Sequence, residues 1–313
     1  MRTYISKLVV AGVLVSGCGL GLAKPIQRAD VAAESTWVLH VDVDALRPTA
    51  MGQHILSELN KPETQARLAA FSAVFAFDPR TALHGLTLYS AGPAPADGVL
   101  LVYADIDAGR LETLVKAAKG HESTEYKGHV IHNWIDDKKK AKNGIQPRTY
   151  AAIHGGRVVL FGQREARVAQ ALNVLDQTAP ALSAGSNYPE LGATGDTSFI
   201  QAAARKLDFP ESDPNAALMR LSQSVRLLVG ESQGRVNTVV TLVAKDEEVA
   251  GHMTSIAQGV VALMKLQKEK PEAVKVAEAT TLKQEGATLV GTVSLPVNEV
   301  VEVLKADAAR KAR

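Results

Sequence analysis

The chain has 313 residues, 46% of them hydrophobic and 22% charged, with a formal net charge of +2. That balance belongs to a folded globular protein with room for two ordinary domains, and it argues against a disordered chain or a basic nucleic-acid binder. Aromatic residues make up only 4%, so the core must come from Val, Leu, Ile and Ala, and stacking platforms for sugars or single strands are scarce.

The first residues, MRTYISKLVVAGVLVSGCGLGLAKPIQ, set Arg2 and Lys7 before an apolar run from Leu8 to Ala23. A basic start, a short apolar stretch and small residues at its end mark an export signal. The run is shorter than a comfortable bilayer span of about 20 residues. The small residues of GLA favour cleavage after Ala23, which makes residues 1–23 a signal peptide. LVSGC offers the alternative of a lipobox, with Cys18 as a lipidated N-terminus. Either route predicts a periplasmic or extracellular protein, held to the membrane only where Cys18 is lipidated; retention of the run as an anchor is the third outcome. Cleavage after Ala23 removes the single cysteine, and with it any disulfide or thiol chemistry. It also leaves 33 basic and 33 acidic residues, and a neutral exported chain has little to attract nucleic acid.

A first half, residues 34–178, begins with the strand TWVLHVDV and the helix RPTAMGQHILSEL. Strands HGLTLYSAG and GVLLVYADI and the helix DAGRLETLVKAAK follow. Two further strands, around STEYKGHVIHNW and TYAAIHGGRVVLFG, lead to the helix QREARVAQALNVLD. Residues 179–193 form a linker rich in Pro, Gly, Ala and Ser. The second half, 194–313, repeats the order: TSFIQAAA, the short helix NAALMRLSQ, strands SVRLLVGE and RVNTVVTLVA, and the helix DEEVAGHMTSIAQGVVALMKLQ. Strands VKVAEATTLKQ and ATLVGTVSL and the helix PVNEVVEVLKADA close it. Short glycine-bearing turns such as HGGR and QEGA imply antiparallel pairing. The expected class is α+β: two similar subdomains, each an antiparallel sheet with helices packed on one face, built as βα followed by two ββα units. In the long helix of the second half, Val249, Met253, Ile256, Val260 and Leu263 recur at helical spacing as a core-facing stripe.

Several strings invite a chemical reading. GESQG, residues 230–234, matches the Gly-x-Ser-x-Gly of serine hydrolases. A nucleophile elbow needs a helix after its turn, whereas RVNTVVTLVA is rich in strand-forming β-branched residues. Asp246 and His252 complete a triad only on paper, since His252 sits within a helix. Ser232 is therefore read as a hairpin residue, and no catalytic residue is assigned. HVDVD, residues 40–44, sets His40, Asp42 and Asp44 on one face of a strand. One imidazole with two carboxylates could hold a divalent cation; the competing reading is a polar strand face meeting water. The matching strand of the second half carries Gln201, Ala203 and Arg205 and preserves no ligand set. His129 and His132 fall on opposite faces of a strand, His154 lies in a hairpin, His54 on an amphipathic helix and His84 after a turn. No phosphate-binding loop, dinucleotide fingerprint or His-Glu-x-x-His is present, so no cofactor is expected.

TWVLHVDVDAL together with FDPRTALHGLTLY, covering mainly the first half, resembles a family of uncharacterised exported bacterial proteins. The resemblance implies secretion and the two-part layout, and supplies no activity or functional residues. The sequence thus predicts a non-enzymatic binding or interaction protein of the bacterial cell envelope, with a protein or small molecule as its partner. A metal-assisted hydrolase using His40, Asp42 and Asp44 is the alternative.

Overall fold

The computed structural model describes residues 26–75, 77–92, 94–137, 146–182, 188, 191–192, 198–205 and 217–311. Ala23, Cys18 and most of the linker 179–193 lie outside the described residues. The chain divides into two compact units. The first runs to Ser35 and resumes over His40–Ala193, and the second takes Thr36–Leu39 and Thr194–Arg313. Thr36–Leu39, read from sequence as part of the first half, therefore groups with the second; there the Arg205 amide donates to the Thr36 carbonyl at 2.7 Å.

The first unit contains the end of β1 (Trp37–Asp42), followed by α1 (Val43–Leu46), α2 (Ala50–Leu59), α3 (Pro62–Phe75) and α4 (Pro79–Ala82). Next come β2 (Leu83–Ser90), β3 (Gly98–Ala104) and α5 (Ala108–Lys116). The unit closes with β4 (Glu122–Tyr126), β5 (His129–Ile135), β6 (Arg148–His154), β7 (Val158–Gly162) and α6 (Glu165–Leu175). Its strands lie in the order β1-β2-β3-β7-β6-β5-β4. Short polar caps set the helix starts: Thr49 Oγ1 accepts from the Gly52 amide at 3.0 Å and Asp107 Oδ1 from the Arg110 amide at 3.0 Å.

The two strands expected around STEYKGHVIHNW and TYAAIHGGRVVLFG are four. Lys127 and Gly128 take φ of 49° and 85° and turn the chain between Tyr126 and His129, which are paired. Two consecutive positive φ values make the tight turn whose twist suits a hairpin. Further along, Gly155 and Gly156 turn β6 into β7. The last ββα unit of the first half is thus ββββα.

The second unit contains β8 (Ser198–Arg205), α7 (Ala217–Leu221), β9 (Ser222–Ser232), β10 (Arg235–Ala244), α8 (Glu247–Lys265) and α9 (Pro271–Glu278). β11 (Thr280–Glu285), β12 (Thr288–Pro296) and α10 (Val297–Lys311) complete it. The strand order β8-β9-β10-β12-β11 reproduces β1-β2-β3-β7-β6 of the first unit, and every defined register in both is antiparallel. The two units thus share one pairing order over five strands, and β4 and β5 are what the first unit has in addition. One element differs from its reading: the start of VKVAEATTLKQ is α9. Val274 and Val276 flank Lys275 in a strand-like alternation, but Pro271 opens a helix at its first turn, and Ala277 is fully buried.

In the second unit α8 lays Ala250, Met253 and Ala257 on Leu242, Ala244 and Leu289 of the sheet. Burying one such side chain as large as Met253 contributes about 1.5–3 kcal/mol. Asp246 starts the helix, its Oδ1 accepting from the Val249 amide at 2.9 Å. The stripe read as core-facing is only partly so. Met253 is fully buried, but Ile256, Val260 and Leu263 are 38, 47 and 63% exposed, and Leu266 just beyond the helix is 73% exposed. The buried face instead follows the small residues Ala250 and Ala257, which let the helix sit close to the sheet.

Candidate functional site

His40 and Asp42 alternate along β1 as expected, but onto the buried side: His40 is 2% exposed and Asp42 is likewise buried. The reading of a polar face meeting water is reversed. Nδ1 of His40 lies 2.8 Å from Oγ1 of Thr87, which is itself fully buried. Asp42 ends the strand and caps α1, its Oδ1 accepting from the Ala45 amide at 2.8 Å. Burial lifts its carboxyl to a pKa of about 6, against the opposing pull of the Ala45 amide. Asp44 has left the strand: it lies in α1, where it pairs with Arg47 at 2.7 Å and with Nδ1 of His84 at 3.0 Å. His84 also reaches Asp105 at 3.1 Å. Because the strand stops at Asp42, the alternation that would align Asp44 stops with it. The three residues are not among the described groups whose ligand atoms converge on one point.

Ser232 ends β9 opposite Arg235, across a two-residue turn in which Gln233 and Gly234 have φ of 51° and 69°. The strand-turn-strand context predicted for GESQG is the one found. Ser232 Oγ accepts from the Asn237 side chain at 2.9 Å. His252 is 71% exposed, 4.0 Å from Glu248, and Asp246 is engaged as a helix cap.

The histidines dismissed singly do assemble. His129 opens β5 and His154 ends β6. Continuing the β5–β6 register, in which His132 faces Ala151, brings His129 across from His154. Both Nε2 atoms meet one carboxylate: His129 lies 2.8 Å from Asp176 Oδ2, and His154 lies 3.0 Å from Oδ1. The rings are 5.6 Å apart and tilted by 35°. Asp176 is the residue just past α6, and its amide donates to the Leu172 carbonyl at 2.8 Å. Burial opposes its charge, but the hydrogen bonds to His129 and His154 outweigh it and hold the carboxyl below its ordinary range. The opposite face of β5 carries a second pair, with Nδ1 of His132 3.1 Å from Nε2 of His121. Burial, with His121 alongside, lowers the pKa of His132.

Asp176 was invisible as a partner in the sequence because its place depends on where α6 ends over the sheet. The opposition of His129 and His154 depends on the register across a long connection, residues 136–147. The signal that could have found the pair is their shared position at matching ends of successive strands.

No protein-family model matches the chain, and no curated protein is detectably similar to it. Among solved structures, crystal form III of TP0453 is similar, at 10% identity and a TM-score of 0.49, covering 91% of this chain and 100% of that one. Crystal form I gives 10% and 0.48, covering 91% and 98%. Likeness at this level carries no functional argument.

Proposed function

We propose that the chain is an exported, non-enzymatic binding protein of the bacterial cell envelope that engages a partner protein through one side of α8. The observation that carries this reading is the exposed line of Ile256, Val260, Leu263 and Leu266. Their spacing of four, three and three residues keeps them on one helix side, next to the buried face. Isolated apolar residues on a surface mean little, but a continuous line of four large ones is what interaction surfaces present. The sequence of the first 23 residues supports the export half of the reading. Among the described residues no helix is long and apolar enough to cross a membrane.

Two experiments test the two halves. Intact mass of the protein from its native host is expected to show a chain beginning at Lys24 or a lipidated Cys18; a chain beginning at Met1 contradicts both processing routes. Immobilised mature protein is expected to retain a discrete envelope protein that the V260E/L263E variant, with an unchanged circular dichroism spectrum, fails to retain. Equal retention by both removes the interaction reading.

A further inference from the structure

We propose that His129, His154 and Asp176 form a binding site for a divalent transition metal, with zinc the best fit. Three observations on different elements support it. The first is convergence: the ligand atoms of the three side chains all lie within 4.8 Å of one another. Tetrahedral zinc, with bonds of about 2.0–2.1 Å to nitrogen and oxygen, sets its ligands on edges of roughly 3.3 Å. The two imidazole Nε2 atoms stand 2.8 and 3.0 Å from the two different oxygens of the Asp176 carboxylate, so an ion is seated when small rotations of these partly exposed side chains replace the two hydrogen bonds with metal bonds.

The second is the donor set. Two imidazole nitrogens and one carboxylate suit zinc, copper or nickel, whereas calcium and magnesium favour oxygen alone. All three side chains are 20–25% exposed, so a metal can reach them from solvent. Two histidines and one carboxylate with an open position is a known way of holding zinc.

The third is support from outside the ligands. Asn173, three residues before Asp176, accepts from Lys127 Nζ at 2.8 Å and donates to the Tyr126 hydroxyl at 2.9 Å. Lys127 and Tyr126 belong to the turn that delivers His129. The last turn of α6 is thus fastened to the β4–β5 hairpin, which fixes the separation of Asp176 from His129 before any metal arrives. That hairpin, which carries His129, is also the part of the first unit with no counterpart in the second unit's strand order. The inference stands apart from the α8 surface and does not depend on it.

The test is titration of chelator-stripped mature protein with zinc by calorimetry, paired with the visible absorption of the cobalt-loaded protein. One ion per chain is expected, with a dissociation constant of about 1 μM or tighter. H129A and H154A are each expected to weaken binding about 10-fold or more and to abolish the tetrahedral cobalt absorption. H121A, which alters the other histidine pair, is expected to leave both unchanged. Because D176N could loosen the fastening of α6, it is read only beside its melting curve: weaker binding at an unchanged melting temperature supports the site. No binding at 1 mM zinc, or affinity that survives in the H129A/H154A double variant, overturns the proposal. So does loss of binding in H121A with retention in H129A.

Discussion

Nδ1 of His40 lies 2.8 Å from Oγ1 of Thr87, and both residues are sealed inside the first unit. The neighbouring strands β1 and β2 thus share a buried polar contact. Thr87→Val is expected to cost about 1–3 kcal/mol, because it leaves a buried imidazole nitrogen short of a partner. Thr87→Ser, which keeps the hydroxyl, is expected to cost less. Urea unfolding of the two variants checks this, and equal costs would show that the threonine acts through its methyl group.

Asp42 makes stability depend on pH in a stated direction. Its folded-state pKa of about 6 lies above the ordinary value of 3.8, so the folded chain favours the protonated carboxyl. That contribution is complete below about pH 4 and is lost as pH rises through 6. Asp42→Asn mimics the neutral acid and can still cap α1. Its stability relative to wild type is therefore expected to rise between pH 4.5 and 7. Asp42→Ala, which loses the cap, is expected to cost about 1 kcal/mol relative to Asp42→Asn. A gap between wild type and Asp42→Asn that stays constant with pH contradicts the assignment.

Ser232 is the last strand residue before a hairpin turn, so Ser232→Ala is expected to leave the melting temperature nearly unchanged, and a fluorophosphonate probe is expected not to label the folded protein. Gln233 beside it holds a φ of 51° that asparagine tolerates better. Gln233→Asn is expected to stabilise the hairpin by about 0.5 kcal/mol. Labelling of Ser232 would contradict the hairpin reading outright.

The two sides of α8 are expected to respond oppositely to truncation. Met253→Ala, in the fully buried row, is expected to cost about 2–5 kcal/mol, whereas Leu263→Gln is expected to stay within about 0.5 kcal/mol. A large cost for Leu263→Gln in the isolated chain would mean that this side is already covered.

Much of the scaffold was readable from strand alternation and helix spacing. The hairpins β9-β10 and β11-β12 follow from strands joined by short turns, and the β-branched residues after GESQG read as the second strand of one of them, whereas the pairing of β10 with β12 is set only by the packed chain. The errors have local physical causes. Val274-Lys275-Val276 alternates like a strand inside a helix. The apolar residues of α3 are spread around its circumference, so no stripe announces it. β1 alternates as read, but its polar residues point inward, and alternation alone does not say which face is wet. The His129, His154 and Asp176 group was least legible, because it depends on a register and a helix end that only the packed chain sets.

The proposed partner surface is the exposed side of α8. The most direct measurement places a photo-crosslinking amino acid at Val260, with one at the buried Ala250 as control, and irradiates living cells of the native host. One discrete adduct is expected from position 260, absent from position 250 and lost when Leu263 is changed to Glu. No adduct from position 260, or an identical pattern from both positions, contradicts it.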